Sequence, residues 1–387
     1  MRGGETTFNP DVSSSDDENV RQEEGASELT YPARLKIVGS VPAELREKVD
    51  RTEEEIRSIF RGEREKTPED LESVDYCNQL GRRIGEKYGF EWARVPPDYI
   101  HIFSEKNFIK RHRRCPWGDH SPGLVGSTEA WPHADIRDVP SRYFRADTMF
   151  HEMCHGESLQ RLQLLPKENR KFFLGAKWER KIRRTGLSMR VEKGGKARDF
   201  FTDINEAITS RLTQEAFEDF QDDIEPPESL QEESERVRTI KEWMRKDLRM
   251  PLGFDAAFGE EELRQVEDLR TCNADSKELS RWEFAYQKEH GIWPLKLSYP
   301  NERFEYEAIL DYLRNYDPER FKTGDEVHGV FVRAMMQGEI LPFARLIEQT
   351  FGRGALRTLG EQGLQWLYLK VRSEEQKQRI KPKDNLV

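Results

Sequence analysis

The stretch FHEMCHGESL, residues 150–159, places two histidines four positions apart, with a glutamate directly after the first. Four residues of an α-helix turn the chain by about 400° and advance it by about 6 Å, so His151 and His155 lie on nearly one line of one face. Glu152 lies about 100° around the helix from His151. The spacing therefore predicts a helix with both histidines on one face and the Glu152 carboxylate next to that face.

Two imidazoles on one helix face can bind one Zn²⁺ at about 2.0–2.1 Å each. Met149, Phe150 and Met153 point away from the histidines and can pack into the core, which leaves the histidine side for a cleft. With 8 histidines in 387 residues, about 0.015 chance copies of H-E-x-x-H are expected. We favour a metal site over the alternative, in which both histidines are ordinary polar residues on an exposed helix.

A catalytic zinc site takes three protein ligands and keeps one position open. DINEAITSRL, residues 203–212, contains an Asn-Glu-Ala-Ile sequence. Here the chain resembles the thermolysin-like metallopeptidases of the gluzincin group, whose second zinc-binding helix carries a very similar stretch. The resemblance implies that His151, His155 and Glu206 bind one zinc ion, and that Glu152 is the general base.

Helical spacing alone leaves the third ligand open. Glu206 shares one side of its predicted helix with Asp203 and Ser210, opposite Ile204 and Ile208, which suits either a cleft or a solvated face. Carboxylate ligation admits Glu206 or Asp203. We prefer Glu206 because of the family resemblance and keep Asp203 as the alternative.

The chain departs from the thermolysin-like pattern in two ways. Fifty residues separate His155 from Glu206, which is longer than the linker in that family. Ser210 stands where the family has an acid that orients a zinc histidine, and metal histidines usually have their second ring nitrogen fixed. Asp203 is available for that task. The resemblance covers two short helical segments.

Alternating apolar residues predict a small sheet. DYIHIF, residues 98–103, and STEAWPHADIRDV, residues 127–139, are typical of strands, and Pro132 marks the second as an edge strand or a bulge. An exposed edge beside the metal helix would let a peptide pair its backbone with the sheet. GLSMRVEKGGKARDFF, residues 186–201, predicts a hairpin around its Gly-Gly pair. His133 is interpreted as an ordinary strand residue.

Most other segments are predicted to be helical. One helix begins after Thr67 as N-cap and ends near Gly89, and Ser229 is a candidate N-cap for another. Sequence from Ser141 onward is mainly helical, apart from the hairpin, and the last ninety residues show helical spacing broken by Gly and Pro. A strand at residues 33–39 and a helix at 41–63 complete the prediction: an α+β, mostly helical, zincin-like fold with a small edge-exposed sheet and a C-terminal helical bundle.

The chain is predicted to have three parts. Residues 1–30 carry eight acids, two bases and few large apolar side chains, which is typical of a disordered acidic tail. Residues 31–225 would form the zincin-like metal-binding domain. Residues 226–387 would form a mostly helical part that completes the active-site cleft.

Composition limits the location and the partners. The chain is 35% hydrophobic and 35% charged with a net charge of -10, and its four cysteines form no C-x-x-C pair, so we expect a soluble cytoplasmic protein. No apolar run approaches the ~20 residues of a membrane span. The basic run KWERKIRRTGLSMR, residues 177–190, could bind nucleic acid, but acids dilute it. Such a run is more often a solvated helix and hairpin surface, so we expect no nucleic-acid partner.

These patterns together predict a zinc-dependent metallopeptidase that acts on peptide or protein substrates, with Glu152 as the base. The transition-state oxyanion needs a donor besides the metal, and our first choice is Tyr299. Tyr306, His290 and His328 are the alternatives, and each of the four could equally be a packing residue. The alternative function is a zincin-like binding protein with a structural or degenerate metal site.

Overall fold

The fold is taken from a computed structural model that describes ten stretches of the chain. These are residues 35–38, 60–112, 123–125, 133–166, 178–193, 196–220, 223–245, 282–287, 291–296 and 300–380. Several predictions fall outside them: the acidic tail, the helix at 41–59, and residues Pro132, His290 and Tyr299. Residues 60–63, at the end of that predicted helix, form a turn instead.

Helices account for most of the described residues, as predicted. They are α1 Pro68–Tyr88, α2 Glu105–His112, α3 Arg142–Glu157, α4 Thr202–Glu218, α5 Glu228–Arg245, α6 Pro300–Tyr316, α7 Gly324–Met336, α8 Ile340–Phe351, α9 Ala355–Gln362 and α10 Leu364–Ile380. Helices α6 to α10 follow one another without an intervening strand, in agreement with the predicted helical C-terminal part. Across the described stretches, no helix combines the length and the apolar character that crossing a membrane requires.

The described strands form three separate sheets. They are β1 Leu35–Val38, β2 Ile100–Phe103, β3 Gly123–Val125, β4 Ala134–Arg137, β5 Gln160–Pro166, β6 Trp178–Thr185, β7 Ser188–Lys193, β8 Lys196–Phe200, β9 Trp282–Gln287 and β10 Gly291–Lys296. The strand orders are β1-β5-β6-β7-β8, β2-β4-β3 and β10-β9. The hairpin expected around the Gly-Gly pair is confirmed as β7 and β8.

The strand at β4 is central, so the prediction of an edge strand there is wrong. β4 pairs in parallel with β2 on one side and antiparallel with β3 on the other. The sequence pattern shows that a segment is extended, but not how many neighbours it has. Among the described strands, β3 is the one that occupies the edge beyond β4.

The prediction of mainly helical sequence after Ser141 is wrong at β5, β6, β9 and β10. β5 pairs with β1 in parallel and with β6 in an antiparallel ladder. Such pairing is set by neighbours remote in sequence, and it overrides local propensity. Residues 178–190 of the basic run therefore lie in β6, the turn after it and the start of β7, and not in a helix.

Local capping signals hold better, with one exception. The hydroxyl of Thr67 accepts from the Asp70 amide at 3.3 Å, and the Thr67 amide donates to the Asp70 carboxylate at 2.8 Å, which completes a capping box. Gly89 ends α1 with a left-handed backbone, φ 76°. The predicted cap at Ser229 is wrong: α5 begins at Glu228, and the Ser229 hydroxyl donates to another helix.

Most of the buried apolar residues form one hydrophobic core that spans both sides of residue 225. Met149, Phe150 and Met153 of α3 are at most 1% exposed, as their predicted orientation requires. α4 buries Ile204 and Ile208 in the same core. The helix with the two histidines is therefore fixed from behind, and its histidine face is the polar side. The division into 31–225 and 226–387 remains a prediction.

A buried ion-pair network fixes the start of α3. Arg145 lies 3.0 Å from the fully buried carboxylate of Asp70 and 2.7 Å from Asp138. Arg64 contacts the same two acids. Because buried charges need good partners, this network fixes the end of β4, the first turn of α1 and the first turn of α3 relative to one another.

Gly81 should be intolerant of a side chain. A Cβ added there would overlap the indole of Trp92, which stacks on Phe150 at 5.5 Å. We expect Gly81→Ala to lower the free energy of unfolding in urea by about 1–3 kcal/mol. Gly324→Ala is the matched control, because no atom lies within 4 Å of its added Cβ. Equal unfolding free energies for the two variants would contradict this packing.

Candidate metal centre

Helix α3 brings together the two histidines that are predicted to be metal ligands. The hydroxyl of Ser141 accepts from the Phe144 amide at 3.1 Å and caps the helix. The Nε2 atoms of His151 and His155 lie 3.2 Å apart. His155 is buried, and His151 is half-buried. Both imidazoles therefore present the same nitrogen to one point.

Helix α4 brings Glu206 to the same point. Its Oε2 atom lies 3.2 Å from Nε2 of His155 and 3.4 Å from Nε2 of His151. Among the described residues, these three form the one group of three or more His, Cys, Asp or Glu side chains whose ligand atoms all lie within 4.8 Å of one another. Asp203, the alternative ligand, is exposed and is not in this group.

The three atoms fit a tetrahedral metal. In a tetrahedral site with bonds of about 2.0–2.1 Å, neighbouring ligand atoms lie about 3.3–3.4 Å apart. The observed separations are 3.2, 3.2 and 3.4 Å. Two imidazole nitrogens and one carboxylate oxygen are also a common donor set for zinc. The residues present therefore suit a Zn²⁺ ion.

The charges of Glu206 and the two histidines shift the pKa values of His155 and Glu206 in opposite directions. Burial alone would lower the pKa of His155, but the Glu206 carboxylate outweighs it and raises the pKa to about 9. Burial would raise the pKa of Glu206, but His155 and His151 hold that pKa well below its usual range. In the metal-free protein, a proton on His155 therefore supplies the positive charge that faces Glu206.

Asn205 lies against the outer edge of His155. Its amide nitrogen lies 3.3 Å from Nδ1 of His155, and its oxygen accepts from the Leu187 amide at 2.9 Å. Gly186 precedes Leu187 in the turn between β6 and β7, and a Cβ there would overlap the Asn205 oxygen. Asp203, expected to orient a histidine, does not make this contact with His155. Metal histidines usually donate their second ring N–H to an acceptor, and an amide nitrogen is itself a donor, so Asn205 packs against His155 without accepting from its Nδ1. The sequence analysis did not identify this contact.

Glu152 lies beside the two histidines of α3. It is 6% exposed, and its charge contributes to the raised pKa of His155. Glu152 follows His151 directly on α3, so its carboxylate leaves the helix beside the histidine face. The arrangement places a buried acid beside the histidine face of α3.

Two of the proposed oxyanion donors lie elsewhere. Tyr306 and His328 are both fully buried, and the Tyr306 hydroxyl lies 2.7 Å from Nδ1 of His328. His328 also faces Glu215, which is nine residues, or about 13 Å, along α4 from Glu206. These two residues pack in the core and do not line the metal centre. Tyr299 and His290 lie outside the described residues.

Two other polar residues singled out in the sequence are internal. Arg184, from the basic run, is 7% exposed and donates to the carbonyls of Gly186 and Ala334 at 2.5 and 3.2 Å. His133 stacks on Tyr99 and contacts His101 at 2.8 Å. Arg184 therefore stabilises the fold through backbone contacts, and His133 is a packed residue immediately before β4.

The stability of the metal-free protein should depend on pH through His155 and Glu206. The pKa of His155 rises on folding from 6.5 to about 9, so its contribution is complete below pH 6.5 and is lost as pH rises towards 9. The pKa of Glu206 falls on folding, so its contribution is complete above about 4.5 and is lost at lower pH.

We expect the free energy of unfolding of chelator-treated protein to fall between pH 6 and pH 9, as measured in urea. Glu206→Gln is the control, because it removes the charge that raises the pKa of His155. An equally steep fall in that variant would show that other groups cause it. With zinc present the trend should reverse below neutral pH, because the metal needs deprotonated ligands.

Comparisons of the chain with known protein families, with curated proteins and with solved structures find no match. A function for this chain is therefore inferred from the geometry of the site.

Proposed function

We propose that this protein is a zinc-dependent peptide hydrolase in which His151, His155 and Glu206 hold one Zn²⁺ and Glu152 is the general base. The observation that carries the proposal is the meeting of the three ligand atoms, 3.2–3.4 Å apart, from two helices. Three protein ligands leave one tetrahedral position open, as catalytic zinc sites do and structural sites do not.

The chemistry divides between the metal and the chain. When bound, zinc supplies a Lewis acid for the substrate carbonyl and lowers the pKa of water to about 7. The Glu152 carboxylate would take a proton from the attacking water and later release it to the leaving amine nitrogen. Its burial, at 6% exposed, keeps bulk water from competing for that proton. A purely structural metal site has no use for this acid.

The three-stranded sheet supports a peptide as the substrate. β3 and β4 both pack against α3, and β3 pairs with β4 along one side. Among the described strands, none pairs with its other side. An extended peptide could pair with that edge and run beside the metal helix. The edge strand expected in the sequence is therefore assigned to β3 and not to β4.

Tyr299 remains the proposed donor to the oxyanion. It directly precedes α6, which begins at Pro300, and α6 packs against α4. The two alternatives that the structure describes, Tyr306 and His328, are buried in the core.

The cytoplasm remains the proposed location. Cys77 and Cys154, the two cysteines in the described stretches, are buried free thiols. Free thiols are typical of a reducing compartment.

Metal content tests the ligand assignment. We expect purified wild type to hold about one zinc ion per chain after dialysis against metal-free buffer. Glu206→Ala should hold almost none, because it removes one of three ligands. Glu218→Ala, which removes an acid at the other end of the same helix, is the matched control and should keep its zinc. Equal zinc in wild type and Glu206→Ala would place the third ligand elsewhere, and loss of zinc in Asp203→Ala beside that result would identify Asp203 as the ligand.

Hydrolysis tests the base. Glu152→Gln should keep its zinc and lose about 10²–10⁴-fold in the rate of cleavage of labelled, unfolded casein, since that is the usual contribution of a general base. Cleavage at the wild-type rate would remove Glu152 from the mechanism. A wild type that holds zinc but cleaves no peptide bond would instead favour a zincin-like binding protein.

A further inference from the structure

Phe201, the residue before α4, has an unusual backbone. Its φ of 61° and ψ of 18° lie in the left-handed region, and no other non-glycine residue in the described stretches has a positive φ. A side chain disfavours this region, which glycine enters freely. Such a conformation persists only where the surroundings hold it, and it is often found beside functional sites.

The C-terminal helices hold Phe201 by its ring. A Cβ added at Gly360 of α9 would lie 2.7 Å from Cζ and 2.8 Å from Cε2 of Phe201. The tip of the ring therefore occupies space that only a glycine leaves open. Gly360 and its neighbour Leu359 are buried, so this contact lies inside the protein.

Two further contacts join the same segments. Arg198 of β8 donates to the Glu361 carbonyl at 3.1 Å. The Asp203 carboxylate lies against Gly363, where a Cβ would overlap it. Residues 198–203, which lead into α4, are thus held at three points by residues 360–363, which we call the 360–363 segment.

The contact between Phe201 and Gly360 lies one helical turn from the candidate metal centre. The carbonyl of Phe201 accepts from the Asn205 amide at 3.1 Å, in the first turn of α4. Asn205 contacts His155, and Glu206 follows it. Phe217, near the other end of α4, is buried in the core. A change in the backbone at Phe201 would therefore move the first turn of α4, which carries Glu206.

We propose that Phe201 is a positioning residue through which the C-terminal helices set the metal affinity of the site. The ring on Gly360 keeps residue 201 left-handed, and this backbone aims Glu206 at the two histidines. Metal–ligand distances vary by only about 0.2 Å in well-formed sites, so a small rotation of the first turn of α4 is sufficient to weaken binding. The inference rests on the proposed zinc site and adds its regulation by residues 360–363.

The test is a double-variant cycle on the full chain. Gly360→Ala adds a methyl group where the ring tip lies, although alanine favours a helix more than glycine does. Phe201→Gly removes the ring and suits the left-handed backbone. We expect each single variant to keep its helical circular dichroism and to bind Zn²⁺ at least about tenfold more weakly, the usual effect of losing an outer contact. The measurement is competition with a chelator.

The double variant distinguishes positioning from general destabilisation. If Gly360 acts through the ring, adding Gly360→Ala to Phe201→Gly should cause no further loss of affinity. The visible spectrum of Co²⁺-loaded protein should change in each single variant, since it reports ligand geometry. Gly324→Ala, at an open position, should leave affinity and spectrum unchanged.

Two results would overturn the inference: single variants with wild-type affinity, or losses that multiply in the double variant. Should Gly360→Ala fail to fold, Phe201→Gly alone still decides, because wild-type affinity without the ring excludes the proposed role. A wild type that binds no zinc would instead refute the proposed function, so the two failures can be told apart.

Discussion

The structure depends on the approach of α3 and α4 at one point. Two imidazole nitrogens and a carboxylate oxygen lie 3.2–3.4 Å apart in a largely buried site. Three electron-rich atoms this close need a positive charge among them, and the low dielectric of the interior raises the cost if none is present. A proton on His155 meets that need in the metal-free protein, which is why its pKa is raised to about 9. The rest of the fold must hold these atoms together.

Support for this meeting comes from segments far apart in the sequence. Arg145 and Asp70 fix the start of α3. The turn at Gly186 holds Asn205 against His155, and Arg184 connects that turn to the end of α7. The 360–363 segment holds the start of α4. Helices α6 and α7 share the core and pack against α4, so the C-terminal helices are part of the support of the candidate site.

The sequence predicts best what is local. The position of His151 and His155 on one helix face follows from helix geometry. Thr67 predicts the start of α1 because its capping box involves only neighbours within one turn. The sequence does not predict strands β5 and β6, because their formation depends on pairing partners remote in sequence. It predicts β4 as an edge strand, because the residues of a strand do not show how many neighbours it pairs with. The prediction of Glu206 as the third ligand rests on a family likeness. Its approach to the histidines depends on Phe201 and Asn205, which make tertiary contacts that the sequence does not show.

The raised pKa of His155 bears on the proposed zinc site. To bind at Nε2 of His155, a metal must displace a proton that Glu206 stabilises. The same carboxylate also attracts the metal, and the attraction grows with the charge of the ion, so a divalent cation gains about twice what a proton gains. The proton contacts one nitrogen, whereas a tetrahedral metal satisfies all three atoms at once. The electrostatic field of Glu206 that raises the pKa of His155 would thus also attract a divalent cation, as the proposed zinc site requires.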